Sequence, residues 1–204
     1  MNTAEIIGIF PTPIYTNKLD REFKKTEINF FEKEKEKKFK NIGNSSSDNN
    51  YILNNTELKH LKQELDFIVI DYYKKVISLN DNASPYITQS WLNWTTENEF
   101  HHRHSHPNSI VSGVLYINAD ENYDKIDFFN DRYEQFHIKE KETNVFNGKN
   151  ATLKVSNGLV VLFPSYVQHA VNIKQGNNVR ISLAFNTFIK GIIGFDKALT
   201  ELKL

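Results

Sequence analysis

Val179-Arg180-Ile181-Ser182-Leu183-Ala184-Phe185-Asn186 interleaves two sets of side chains. Side chains two apart on a β-strand share a face, so Val179, Ile181, Leu183 and Phe185 form one side and Arg180, Ser182, Ala184 and Asn186 the other. The first side is apolar core. The second sets a guanidinium beside a hydroxyl on a strand that belongs deep in the fold. A buried arginine needs an anionic partner, because an unpaired buried charge is very costly. Two partners fit: an Asp or Glu of the chain, or a ligand carboxylate held by the guanidinium fork, with Ser182 donating a further hydrogen bond.

Working outward, His169 precedes Arg180 by about one hairpin, so the spacing allows both on adjacent strands facing one cavity. His169 itself follows Phe163-Pro164-Ser165-Tyr166-Val167-Gln168, which reads as a strand end, a turn and a new strand. Far upstream, four of the seven histidines crowd into His101-His102-Arg103-His104-Ser105-His106-Pro107. Neutral imidazole is the commonest metal-ligating side chain, and His-x-His on a strand presents two nitrogens to one ion. Both His102/His104 and His104/His106 have that spacing, and His169 is the natural third ligand. A dense histidine cluster is also what an exposed loop with adventitious metal affinity looks like. On the strand after the cluster, Ser112, Tyr116 and Asn118 share a face opposite Val111, Leu115 and Ile117. Tyr116 suits either a ligand carboxylate or a core position with its hydroxyl satisfied. Trp91 and Asn93 share a face and read equally as core aromatic and buried amide or as parts of a site.

Composition bounds these readings. A chain of 204 residues suffices for one sizeable core and is expected to be a single domain, 1–204, with a helical part over about 18–80 and a β core over about 86–188. Twenty-five basic residues balance twenty-five acidic ones, so neither nucleic acid nor an anionic membrane is expected as a partner. There is no cysteine, which excludes disulfides, thiolate metal sites and a cysteine nucleophile, and fits a reducing compartment. The sequence has neither a bilayer-length apolar run nor a signal-peptide pattern, so a cytoplasmic location is expected.

The hydrophobic period divides the chain. Residues 6–15 read as a short strand broken by Pro11 and Pro13. The charge-dense segment 20–40 suits an exposed helix, and Asn41 to Asn50 a loop. Leu58, Leu61, Leu65, Ile68, Tyr72, Val76 and Leu79 draw the apolar stripe of a helix that packs on a sheet, with Thr56 or a neighbouring Asn as its cap. Strands are predicted at 86–96, 110–118, 125–129, 134–138, 151–155, 159–163, 168–173 and 178–188, and a short helix from Phe195 to Leu204. Helices first and short strands later make the fold class mainly β with N-terminal helices (α+β), on a sandwich or barrel core. Asp120, Glu121, Asp124, Asp127 and Asp131 read better as an acidic surface hairpin than as a cationic substrate's entrance. Edge strands and exposed aromatics leave room for a homodimer.

These motifs resemble a family. Double-stranded β-helix (jelly-roll, cupin-like) oxygenases that use Fe(II) and 2-oxoglutarate carry His-x-Asp/Glu, a distal His, and Arg-x-Ser some ten residues on. More narrowly, the chain is similar to a group of such oxygenases common in phages and marine bacteria. The likeness lies in Phe10-Pro11-Thr12-Pro13, Ser90-Trp91-Leu92-Asn93, His104-Ser105-His106-Pro107, Ser112-Gly113-Val114-Leu115-Tyr116, Phe163-Pro164-Ser165, His169 and Arg180 to Asn186. It implies a dioxygenase that hydroxylates some substrate with O2 and 2-oxoglutarate, releasing succinate and CO2. It implies metal ligands His104, His106 and His169, with Arg180, Ser182, Tyr116 and Asn93 around 2-oxoglutarate. In a phage-encoded protein the location would be the host cytoplasm. The chain departs from the wider pattern at His106, where most members have an acid; iron accepts imidazole well, but the site is then one unit more positive. Two other classes remain open: a cupin-like metal enzyme that does not use 2-oxoglutarate, and a binding or phage-associated module that kept the fold without the chemistry.

Overall fold

The computed structural model describes residues 4–131, 136 and 138–204. In chain order it runs β1 (Tyr15–Lys18), α1 (Lys25–Lys35), β2 (Phe39–Lys40), β3 (Ser45–Ser46), α2 (Lys59–Tyr72), β4 (Ala83–Thr95), β5 (His101–His104), β6 (Val111–Asn118), β7 (Lys125–Phe129), β8 (Asn150–Lys154), β9 (Leu159–Pro164), β10 (His169–Val171), β11 (Arg180–Ile193) and β12 (Leu202–Lys203). The strands form two antiparallel sheets. The larger has the order β1-β9-β6-β11-β4-β3-β2, with β12 added to β11, and the smaller β5-β10-β7-β8. The small sheet packs on one face of the large one as a jelly-roll sandwich, and the helices pack on the other.

Strand parity explains why there are two cores. Ile181, Leu183 and Phe185 of β11 join Leu92 and Trp94 of β4, Leu115 of β6 and Leu162 of β9 on the helix side. They meet the α2 stripe Leu61, Leu65, Ile68 and Tyr72, and Phe30 and Phe31 of α1. On the opposite face Tyr116, Val161 and Phe163 close on Ile126 and Phe128 of the small sheet. Arg180, Ser182, Ala184 and Asn186 belong to this second, inter-sheet face. Arg21 ties the chain entering α1 to both helices through Glu27, within α1, and Glu64, within α2, the latter contact at 2.6 Å.

Several elements differ from the sequence reading. Among the described residues before Tyr15 there is no strand: Pro11 and Pro13 lack the N–H a ladder needs. The α2 entrance has no side-chain cap; two turns of 3₁₀ helix lead into it, and Asn55 Nδ2 is spent on the Ile52 carbonyl at 2.8 Å. Past Tyr72 the helix widens into a π-turn over Tyr73–Ile77. That shifts the phase, so Val76 faces solvent while Tyr73 turns inward and its hydroxyl meets Thr187 Oγ1 at 2.9 Å. The tail is a 3₁₀ turn, Asp196–Ala198, followed by β12, because Leu199 sits at φ 56°, which ends a helix. Asp124 and Asp127 are buried, contrary to an acidic surface hairpin, because each has polar partners: Asn178 and the Asp120 amide donate to Asp124 Oδ2, while its Oδ1 has only the Lys174 ammonium at 3.8 Å, and Thr152 and Asn172 donate to Asp127. The strand expected over 134–138 falls largely outside the described residues. Among the described residues no helix is long and apolar enough to cross a membrane.

Candidate metal centre

β5 and β10 are neighbours, and their register sets His104 opposite His169. His106 lies two residues past the end of β5, its amide held by the Ser165 carbonyl at 3.0 Å. One ring nitrogen from each of His104, His106 and His169 lies within 4.8 Å of the others, so a single ion could touch all three. Each ring has its Nδ1 occupied: His104 at the His102 carbonyl (2.8 Å), His169 at the Val167 carbonyl (3.2 Å) and His106 at Asn186 Oδ1 (2.6 Å). These oxygens accept, so each Nδ1 carries the proton and each Nε2 a free lone pair. The Nε2 atoms of His104 and His106 then face each other at 3.2 Å as two acceptors. Acceptors at that distance repel unless a cation lies between them, so the donor set fits a transition ion that prefers imidazole.

The surroundings keep the rings neutral. His169 is 6% exposed and walled by Phe163 and Phe128. Trp91 stacks on His106, with centroids 5.6 Å apart. Burial pushes His106 down to about 4 and His169 to about 3, with neighbouring histidines adding to the effect, and it lowers His104 as well. Above those values no proton need be displaced before an ion binds. Asn186 Oδ1 also accepts from Ser112 Oγ at 3.0 Å, and Ser112 meets Ser165 Oγ at 2.8 Å. Ser165 in turn donates to Ser109 at 2.7 Å. Asn186, Ser112 and Ser165 were visible in the sequence only as members of faces and motifs; their hydroxyl chain behind His106 joins three distant segments and has no local signature.

A polar row crosses the floor of the inter-sheet space. Register aligns Ser46 with Asn93, Asn93 with Ser182, and Ser182 with Tyr116, across β3, β4, β11 and β6. Asn93 accepts from Ser46 Oγ at 2.8 Å, which makes part of the loop read over Asn41 to Asn50 a wall of the site. Burial pushes Tyr116 up to about 12, so it stays a donor. Arg180 is 2% exposed. Its Nη2 donates to Thr95 at 3.2 Å and its Nη1 to the Lys125 carbonyl at 3.5 Å, while Nε has no partner. No carboxylate among the described residues pairs with it; the nearby Asp124 is matched to Lys174 at 3.8 Å, both side chains 1% exposed. Of the two partners the sequence allowed, the chain's own acid is thus not in contact, and a buried cation holds donors in reserve. Desolvation lowers Arg180, yet a guanidinium keeps its charge. A cavity of about 220 Å³ borders Arg180, Asp124, Asp127 and Lys174, and none of the histidines lines it.

The structure thus brings His104, His106 and His169 together, and sets Asn93, Ser182 and Tyr116 side by side with Arg180 on the same face. Similar folds are known. A 2OG-Fe(II) oxygenase family oxidoreductase from Burkholderia pseudomallei superposes with a TM-score of 0.55 at 13% identity, covering 84% of this chain and 83% of that one. A Pseudomonas putida prolyl-4-hydroxylase gives 0.57 at 13% identity, over 86% and 92%. HygX from Streptomyces hygroscopicus, solved with nickel, 2-oxoglutarate and hygromycin B bound, gives 0.54 at 12% identity, over 86% and 82%. At such identities the likeness establishes the double-stranded β-helix fold. No curated protein matches in sequence. Residues 89–186 match the family model described as "Putative 2OG-Fe(II) oxygenase", a span that holds all three converging histidines, Arg180 and Ser182. Through that segment, a little under half of its length, the chain resembles the 2OG-Fe(II) oxygenase family.

Proposed function

We propose that the chain is an Fe(II)- and 2-oxoglutarate-dependent dioxygenase that inserts one oxygen of O2 into a substrate C–H bond, with release of succinate and CO2. The observation that carries this reading is paired. Three imidazole Nε2 lone pairs converge with their Nδ1 protons fixed, and on the same inter-sheet face a buried arginine keeps a fork without a carboxylate. The solved relatives named for 2-oxoglutarate or for hydroxylation support it.

In this reading His104, His106 and His169 hold the iron, which with 2-oxoglutarate supplies the oxidising chemistry. Arg180 grips the distal carboxylate of 2-oxoglutarate, and Ser182 and Tyr116 donate further hydrogen bonds. Asn93, held by Ser46, keeps the polar row in register. Phe163, Phe128 and Trp91 exclude water around the ligand rings.

The test is an anaerobic titration of the protein with Fe(II) and then 2-oxoglutarate. A weak visible charge-transfer band is expected in the wild type and a diminished one in His106→Ala and Arg180→Ala. Metal binding with no band and no response to 2-oxoglutarate would overturn the dioxygenase reading in favour of a cupin-like metal enzyme. No metal binding at all would leave a binding module.

A further inference from the structure

Five histidine rings, not three, are in contact. His104 is 4.3 Å from His169 and 5.1 Å from His106, centroid to centroid. It is also 4.7 Å from His101 and 4.9 Å from His102, which lie 5.3 Å from each other. These are two triangles sharing one corner. On a regular strand His101 and His104 would point to opposite faces. The β5–β10 register slips between the His169–His104 and Val171–His101 pairs, so β5 carries an extra residue and His101 joins the other rings.

We infer that His101, His102 and His104 form a second position for a divalent transition ion, from which the ion is passed to His104, His106 and His169. One ring nitrogen of each of the three lies within 4.8 Å of the others. Two buried polar atoms beside this triangle have no hydrogen-bond partner, His102 Nδ1 and Oδ1 of Asn44; Asn44 Nδ2 lies 3.4 Å from His101 Nδ1, a long contact that gives way when an ion takes that nitrogen. Asn44 is 1% exposed. A bound ion and its water would satisfy both. His104 Nδ1 is committed to the His102 carbonyl, so His104 has one nitrogen to give and the two positions cannot use it together. An ion can nevertheless exchange His101 and His102 for His106 and His169 without leaving His104. The direction follows from His169, the one buried ligand of the two triangles; His101, His102 and His106 are all part-exposed.

The inference rests on the His104–His106–His169 triangle being a metal site, and the test separates the two. Cobalt(II) binding is measured for the wild type, for His169→Ala and His106→Ala, and for His101→Ala/His102→Ala/His169→Ala, each checked for folding by circular dichroism. Both single variants should still take up about one equivalent, held by the outer triangle, and the triple variant should lose it. Stopped-flow loading of His101→Ala/His102→Ala should be several-fold slower than wild type, with unchanged final affinity. Folded His169→Ala or His106→Ala that binds no cobalt, or a double variant that loads as fast as wild type, would overturn the second position while leaving the first intact. A wild type that binds no cobalt would remove both.

Discussion

At His106 a single hydrogen bond decides which ring nitrogen carries the proton. Asn186 Oδ1 accepts from Nδ1 and thereby leaves Nε2 bare. Turned the other way, the amide would donate to Nδ1 and force the proton onto Nε2; Ser112, donating to the same oxygen, holds the orientation. Asn186→Ala should therefore weaken metal binding about 10–100-fold, the usual cost of losing a ligand's supporting partner. Nickel or cobalt titration checks this, and wild-type affinity in the variant would show that the bond does not set the tautomer. Arg180 invites the opposite experiment. A buried cation without a counter-charge costs stability, so Arg180→Met should melt at or above the wild-type temperature without ligand yet lose any stabilisation by 2-oxoglutarate. Lower stability together with a retained 2-oxoglutarate shift would mean that Arg180 serves the fold. At this scale the alternation from Val179 to Asn186 made Arg180 and Ser182 legible, because period two fixes faces without knowledge of neighbours. The choice between His102/His104 and His104/His106 was not legible, because it depends on β5 ending at His104 and on a carbonyl and an amide from distant segments.

Elements register the same logic in their irregularities. β4 and β11 slip register between Phe185 and Thr187, beside Asn186, and β6 and β11 between Ile181 and Ser182, beside the Ser182–Tyr116 pair. Bulges re-aim side chains, and no local pattern in the sequence announces them. Gly113 of β6 shows how tightly the large sheet packs: a Cβ there would lie 2.2 Å from the Phe185 ring and 2.7 Å from Leu162 Cδ2. Gly113→Ala should cost about 1–3 kcal/mol through overpacking, read by urea unfolding, and a neutral result would show that Phe185 has room to move. Between the helices the Arg21 fork holds the Glu64 carboxyl below its usual range. Such a group adds stability above its unfolded pKa of about 4.3 and loses it as pH falls through the lower folded value. The melting temperature should therefore fall between about pH 5 and pH 3 more steeply in wild type than in Glu64→Gln. Parallel curves would assign the acid sensitivity to other groups.

For the whole molecule, the order of helices then strands, the apolar stripe of α2 and most strand positions were legible because each rests on a local period. A sandwich was expected, but which strand joins which sheet and the burial of Asp124 and Asp127 were not legible, since both arise from contacts between remote segments. The small sheet's edge has its own consequence. Among the described residues β5 is an outer strand, paired with β10 alone and over a short, irregular stretch. An ion bound by His104, His106 and His169 would fasten that margin to β10, acting as a clasp where backbone bonding is sparse. Order in the margin and grip on the ion then become one equilibrium, each strengthening the other by the same factor. Amide exchange over residues 101–106 should slow when nickel is added, and backbone exchange elsewhere in β7 and β8 should change far less. On that account the sparsely bonded margin that would receive the ion is also the part of the jelly roll that the ion would secure.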